Sequence, residues 1–373
     1  MKNIKTVNKT VGIDKAAEKA VLVGLSSSAL PIEDRADERS LDELAALLET
    51  AGGIAAGVVL QKRDRPEPGT LIGTGKAEEI AEIIKANDCT LALFDNALTP
   101  AQQRSLEDVL GVRVMDRAGI ILDIFAKRAQ TKEGRLQVEL AQYEYLLPRL
   151  TRMWTHLVRQ TASGASRIGT RGPGETQLET DRRHIRDKIT RLRRELEKVR
   201  GVRATQRRLR GKNEVKAVAL VGYTNAGKST LLNKLTGAGI QAENRLFDTL
   251  DTTTRRLRLP DEREVLLSDT VGFIRKLPHQ LVAAFKATLE ELTFADLILH
   301  VVDLSNDDCE YQTLVCERLI GELGAGETPR ILVCNKRDLA PETLMPAGTD
   351  SVSVSAKTGE GVDALLDKIA KTI

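Results

Sequence analysis

Val218-Ala219-Leu220-Val221-Gly222-Tyr223-Thr224-Asn225-Ala226-Gly227-Lys228-Ser229-Thr230 is the stretch on which the fold turns. Four apolar residues read as a strand, the glycine-bounded segment as a loop, and the residues from Thr230 onward as a helix. This is the GxxxxGK[ST] phosphate-binding pattern in the strand–loop–helix setting it requires. The two glycines let the backbone wrap an anion without a Cβ in the way. Loop N–H groups and the helix N-terminus point at that anion. Lys228 carries a point charge toward the β- and γ-phosphates, and the Ser229 hydroxyl is a hard oxygen of the kind Mg2+ accepts. A bound nucleoside triphosphate is expected.

Further elements narrow the nucleotide. A strand at 266–268 runs into Asp269-Thr270-Val271-Gly272, a DxxG. Asp269 is expected to hold Mg2+ through water, and the Gly272 N–H to sense the γ-phosphate. A strand at 331–334 runs into Asn335-Lys336-Arg337-Asp338, an NKxD. A carboxylate there accepts two hydrogen bonds from guanine, from N1–H and the 2-amino group. Adenine offers neither, so it would leave buried polar groups unpaired. Lys336 is expected along the base. A strand at 352–354 leads to Ser355-Ala356-Lys357, whose backbone is placed for the guanine O6. Between the first two motifs lies Phe247-Asp248-Thr249-Leu250-Asp251-Thr252-Thr253-Thr254-Arg255, read as a polar switch loop. One of its threonines completes the metal shell. Thr249 is taken; spacing alone does not exclude Thr252 or Thr253. No residue is assigned as catalytic; Lys228, Thr249 and Gly272 are expected to support the transition state. After the DxxG stands Phe273, which cannot polarise water, so slow intrinsic hydrolysis raised by a partner is expected over simple packing of that ring.

Outward from this site the chain separates into three zones. Residues 213–373 alternate strand and helix, closed by a helix at 361–373, and predict a doubly wound parallel sheet with right-handed crossovers. Nothing beyond that helix is expected to form another domain. Residues 1–125 predict a smaller α/β domain. Its strands are read at 21–25, 54–60, 91–94 and 112–115, and its helices at 37–50, after Gly73 to about 86, and from 99. Residues 126–212 carry almost no strand signal. Two long helices, 129–157 and 179–209, flank a Gly/Arg-rich segment at 163–175 and predict a long antiparallel helical hairpin with a basic loop at its end. Ile185, Ile189, Leu192, Leu196 and Val199 give its second helix an apolar stripe. Gly73-Thr74-Gly75-Lys76 could open a second phosphate site, but the motif is incomplete and a tight turn is favoured.

Composition sets the class. The 373 residues are 41% hydrophobic, 29% charged and 3% aromatic, with a net charge of +3, so the cores must be aliphatic. No apolar run reaches the ~18 residues a membrane span needs, and no secretory signal is present. A soluble, cytoplasmic monomer is expected; a span, as opposed to peripheral contact, is what the sequence excludes. Four cysteines without CxxC spacing fit no zinc site or disulfide framework. His300 reads as a hydrogen-bonded core residue, and Glu290-Glu291 and Asp307-Asp308 as solvated surface. Charge is uneven: residues 151–212 hold 18 Lys and Arg against 6 Asp and Glu, leaving the remainder at −9. Such a one-signed segment suits a polyanion, RNA first, held through phosphates because aromatics are scarce there.

The P-loop, FxTLDxTTR, DTVGF, NKxD and SAK elements together resemble the translation-associated GTPases of the TRAFAC class. The stretch Gly169-Thr170-Arg171-Gly172-Pro173-Gly174-Glu175-Thr176-Gln177-Leu178-Glu179-Thr180-Asp181-Arg182-Arg183 resembles the signature of the HflX family, and the likeness covers essentially the whole chain. The resemblance implies a Mg2+-dependent GTPase yielding GDP and phosphate. It implies binding to the large (50S) ribosomal subunit and its rRNA, and splitting or rescue of ribosomes under stress. It favours Thr249 as the metal-binding threonine and Arg167, Arg171, Arg182 and Arg183 as an RNA-binding loop. It also raises the second phosphate site at Lys76, as a weak ATPase. An assembly or RNA-maturation switch acting on precursor particles is the alternative.

Overall fold

β1 (Lys19–Ser27) is apolar on both faces, with Ala20 and Leu22 entering one cluster and Val21, Val23 and Leu25 another. A strand of this kind must be covered by helices on both sides, which is the condition of a parallel sheet. The computed structural model, which describes residues 17–152, 173–211, 215–237, 246–247, 253–276, 292–340 and 350–373, shows that sheet. β2 (Ile54–Arg63), β1, β3 (Leu91–Phe94) and β4 (Arg113–Asp116) pair in the order β2-β1-β3-β4, all parallel.

The covering helices are α1 (Glu38–Ala51), α2 (Thr74–Ala86), α3 (Pro100–Leu110) and α4 (Arg117–Arg128). Their ends follow from single residues. Asp37 caps α1 in a reciprocal box with Ser40, and Gly52 ends it at φ 91°, a left-handed angle that costs a Cβ-bearing residue ~1–2 kcal/mol. Thr99 forms the same box with Gln102 ahead of Pro100. The helix α4 is buried at Ile120, Ile121, Leu122, Ile124 and Phe125. No expectation from the sequence covers this helix; its start is set by Asp116, whose side chain accepts the Gly119 N–H at 3.0 Å.

The single helix expected over 129–157 does not form. α4 ends at Arg128, Ala129 turns extended at ψ 111°, and Thr131 accepts the Gly134 N–H at 3.0 Å to start α5 (Lys132–Leu146). A 3-10 turn at Arg149–Arg152 follows Pro148. α6 (Pro173–Gly211) is 39 residues long. It begins inside the segment expected to be non-helical, because proline at a first helical position gives up an N–H that has no partner anyway. Leu136 and Leu140 of α5 pack on Ile189, Leu192 and Leu196 of α6, and Lys188–Glu139 (2.9 Å) and Arg193–Glu144 (2.7 Å) flank the seam.

The second sheet has the order β10-β9-β8-β5-β7-β6. Its strands are β5 (Ala217–Gly222), β6 (Thr253–Arg258), β7 (Glu264–Asp269), β8 (Leu297–Asp303), β9 (Arg330–Asn335) and β10 (Ser351–Ser353). It is covered by α7 (Lys228–Thr236), α8 (Cys309–Glu322) and α9 (Val362–Thr372). All pairs are parallel except β6 with β7. Thr253, Thr254 and Arg255, expected in the switch loop, therefore lie on an edge strand, with Thr253 in register with Asp269. β5 sits between β8 and β7, so the carboxyl end of β5 opens at a topological switch point, where such sheets hold ligands.

One apolar cluster runs from the first sheet into the second. Phe125 meets Phe247 edge to face, centroids 4.6 Å apart, and Tyr223, Phe273 and Ile274 join the same cluster. An aromatic pair of this geometry adds ~0.5–1.5 kcal/mol beyond its burial. Among the described residues no helix is long and apolar enough to cross a membrane.

Candidate functional site

The loop between β5 and α7 is packed against its surroundings so closely that only glycine fits at its ends. A Cβ on Gly222 would stand 2.2 Å from the Val301 carbonyl oxygen. At Gly227, φ is 93° and a Cβ would stand 2.3 Å from Asn335 Nδ2. The loop wraps around Lys228, whose ammonium donates to the carbonyl oxygens of Gly222 (3.1 Å) and Tyr223 (2.8 Å). Burial pulls the Lys228 pKa below its ordinary value, with Asp269 opposing. An anion in the loop would repay that desolvation directly.

Ser229 Oγ donates to Asp269 Oδ2 at 2.7 Å. A hydroxyl and a carboxylate side by side beneath a phosphate loop are the hard-oxygen donor pair that suits Mg2+. Thr270 turns away, its hydroxyl donating to the Leu220 carbonyl at 2.7 Å. Gly272 is pressed onto the loop; a Cβ there would come within 2.9 Å of Thr224 Cα and 3.0 Å of Lys228 Nζ. The segment is pinned by Thr224 N–H to the Phe273 carbonyl (2.8 Å) and Phe273 N–H to the Gly222 carbonyl (3.1 Å). The Phe273 side chain is buried in the core.

Across the crevice, Asn335 at the end of β9 makes the connection. Its Nδ2 donates to the Ala226 carbonyl at 2.8 Å, and its Oδ1 accepts the Ala356 N–H at 2.9 Å. One side chain thus joins the phosphate loop to both expected base-contacting segments. Asp338 is exposed, with Oδ1 accepting from Ser355 Oγ at 2.6 Å, an arrangement that leaves its carboxylate able to receive two N–H donors. Lys336, at φ 62°, pairs with Asp303 at 2.7 Å. The Arg337 N–H donates to the Val354 carbonyl at 3.2 Å, and Lys357 is exposed.

Some expected residues are arranged otherwise. The Phe247 side chain lies in the junction core, and the Tyr223 hydroxyl points to Glu43, at 2.5 Å; only their backbones remain for a nucleotide. Asp248, Thr249, Leu250, Asp251 and Thr252 lie outside the described residues, as do Arg167, Arg171 and Glu290-Glu291. Arg182 and Arg183 lie on α6, Arg183 exposed. Asp308 is not solvated surface: it pairs with Arg275 at 2.6 Å and with Arg39. The Gly73 turn is internally satisfied, its N–H donating to Gln61 Oε1 at 3.0 Å and Lys76 pairing with Glu79 at 2.6 Å. His300 Nδ1 lies 3.0 Å from Glu317 Oε1 inside the fold. Glu43, Asp95, Arg117 and Lys276, none of them anticipated, form a buried polar network beside the P-loop. No local motif announced it, since its members are scattered along the chain.

Three family models match in sequence: a GTP-binding GTPase N-terminal region over residues 38–126, a GTP-binding GTPase middle region over 128–210, and a 50S ribosome-binding GTPase over 217–336. The GTPase HflX of Caldanaerobacter subterraneus subsp. tengcongensis is 49% identical over 357 residues, 95% of this chain and 81% of that one. The GTPase HflX of Escherichia coli K12 is 46% identical over 364 residues, 96% and 83% of the two chains. The crystal structure of a GTP-binding protein from Sulfolobus solfataricus in complex with GDP aligns at 23% identity and TM-score 0.47, covering 95% of this chain and 98% of that one. With nearly half its residues shared along almost its full length, the chain belongs to the HflX family of ribosome-binding GTPases, enzymes that hydrolyse GTP.

Proposed function

We propose that the chain is a Mg2+-dependent cytoplasmic GTPase that acts as a monomer on the large ribosomal subunit and separates ribosomal subunits. The observation that supports it best is the Ser229–Asp269 pair at 2.7 Å directly under the loop that encloses Lys228. Ser229 and Thr249 would hold the metal directly and Asp269 through water. When bound, Mg2+ would neutralise charge on the phosphates. The chain itself supplies position and electrostatics: loop N–H groups and Lys228 on the phosphates, the Gly272 N–H at the γ-phosphate, Asp338 on the guanine edge. Asn335 holds the base side to the phosphate side. A buried Phe273 in place of a polar residue means that intrinsic hydrolysis is slow and that the ribosome raises it by ordering the switch segments. Residues 126–212, cationic at 151–212, serve as the arm that grips rRNA through its phosphates.

Whole ribosomes mixed with the protein and GTP should lose light scattering within seconds to minutes, and large subunits should accelerate single-turnover hydrolysis. Unchanged scattering together with binding confined to precursor particles would replace splitting by an assembly role. Base recognition has its own check. Asp338→Ala removes the acceptor of two guanine hydrogen bonds, so competition with ATP should show the guanine preference falling by at least about 100-fold. A preference left intact would remove Asp338 from that role.

A further inference from the structure

A closed polar ring joins the phosphate loop to the N-terminal sheet. The Tyr223 hydroxyl donates to Glu43 Oε1 at 2.5 Å. Glu43 Oε2 pairs with the Arg117 guanidinium, whose Nη1 donates to Asp95 Oδ1 at 2.7 Å. Asp95 Oδ2 takes the Lys276 ammonium and the Ser40 hydroxyl, the latter at 2.9 Å. The ring closes through the neighbour of Lys276, for the Arg275 N–H donates back to the Tyr223 hydroxyl at 2.7 Å. Two positive and two negative side chains balance within it. Burial first, then Glu43, keeps the Tyr223 hydroxyl protonated and donating.

Such a ring is not an economical way to hold two sheets together, since well-packed apolar residues do as well or better in a buried site. What it adds is geometry. Gly272 to Lys276 has no slack: a Cβ on Gly272 would stand 2.9 Å from Thr224 Cα, Phe273 is bonded to the loop on both backbone groups, and Ile274 is buried. A shift of the Gly272 N–H toward a γ-phosphate would be carried to the Arg275 N–H and Lys276. Those groups cannot move without leaving Tyr223 or Asp95 buried with a lost partner.

We infer that Tyr223 and Glu43 are positioning residues that couple occupancy of the γ-phosphate site to the seating of the N-terminal sheet. The inference rests on the reading of the loop and the DxxG as the GTP site. Because a shift of the Gly272 N–H toward a γ-phosphate would cost the ring a partner at Tyr223 or Asp95, the closed ring favours the diphosphate. By linkage, opening it must shift nucleotide preference.

The test uses the full chain and competition of GDP and the slowly hydrolysed GTPγS against a fluorescent guanine nucleotide. Glu43→Gln, remote from the nucleotide, is expected to raise GTPγS affinity relative to GDP by at least about fivefold, with GDP affinity within twofold of the parent. Tyr223→Phe, which deletes one oxygen, should move the ratio the same way, and the double variant should move it no further than either single. Thermal unfolding of each variant checks that it is folded. An unchanged ratio in both folded single variants, or strictly additive effects, overturns the coupling while the parent still binds guanine nucleotides. A parent that binds neither nucleotide takes down the GTP-site reading along with it.

Discussion

Lys228→Ala is expected to cost about 100- to 1,000-fold in GTP turnover, on the order of 3–4 kcal/mol, the usual loss when one preorganised electrostatic contact to a developing charge is deleted. The loss should be larger than for any exposed cation because Lys228 is buried and enclosed by the carbonyls of Gly222 and Tyr223. Stability should not fall in step. A buried ammonium with a depressed pKa is costly to fold around, and alanine removes that desolvation along with the charge. Single-turnover hydrolysis and a thermal melt on the same sample separate the two. Near-normal turnover would mean that the loop does not hold a phosphate.

Gly227→Ala should be nearly as damaging by a different route. Its φ of 93° is a left-handed angle, and the added methyl would meet Asn335 Nδ2 at 2.3 Å. Backbone strain of this type costs ~1–3 kcal/mol. The collision falls on the one side chain that ties Ala226 to Ala356, so the phosphate loop and the base-contacting segments should lose register together. Guanine nucleotide affinity should weaken by about 100-fold, ~3 kcal/mol. The apolar faces of the second sheet, remote from this contact, should keep the fold cooperative. Titration with a fluorescent GDP analogue provides the measurement. A loss confined to triphosphate, with GDP affinity intact, would show that Asn335 does not link the two halves of the site.

Both experiments act on residues the sequence had already placed, and the reason is chemical. Gly227, Lys228, Ser229, Asp269 and Asn335 belong to short patterns whose spacing is set by the turn they make, so they can be read without knowing what surrounds them. The helix starts were written just as locally. Asp37, Thr99 and Thr131 cap through their own side chains. Thr131 was a usable signal that 129–157 is not one helix. No glycine or proline among Lys127, Arg128, Ala129 and Gln130 marks the break. α4 is less legible, since its first charged residue, Arg117, is buried and does not mark a solvent face.

Asp308 shows the opposite limit. Beside Asp307 it looks like any surface acid, and only the approach of Arg275 and Arg39 makes it a junction residue. The same holds for the second role of Asn335. Its place in an asparagine–lysine motif is local, while its grip on Ala226 spans 109 positions.

From the linear chain alone came the alternating architecture, the strand–loop–helix that encloses Lys228, the guanine-type loop at Asp338 and the cationic stretch between 151 and 212. Each depends on neighbours in sequence: periodicity, a glycine at a left-handed angle, a run of one charge. Folding in three dimensions decided the rest: the antiparallel edge at β6, the Asn335 bridge, and the Tyr223–Glu43 contact between residues 180 positions apart. Contacts of that separation are fixed by which faces of two sheets pack together. No local spacing rule encodes that choice, because the free energy that selects it belongs to the buried interface and not to any one segment.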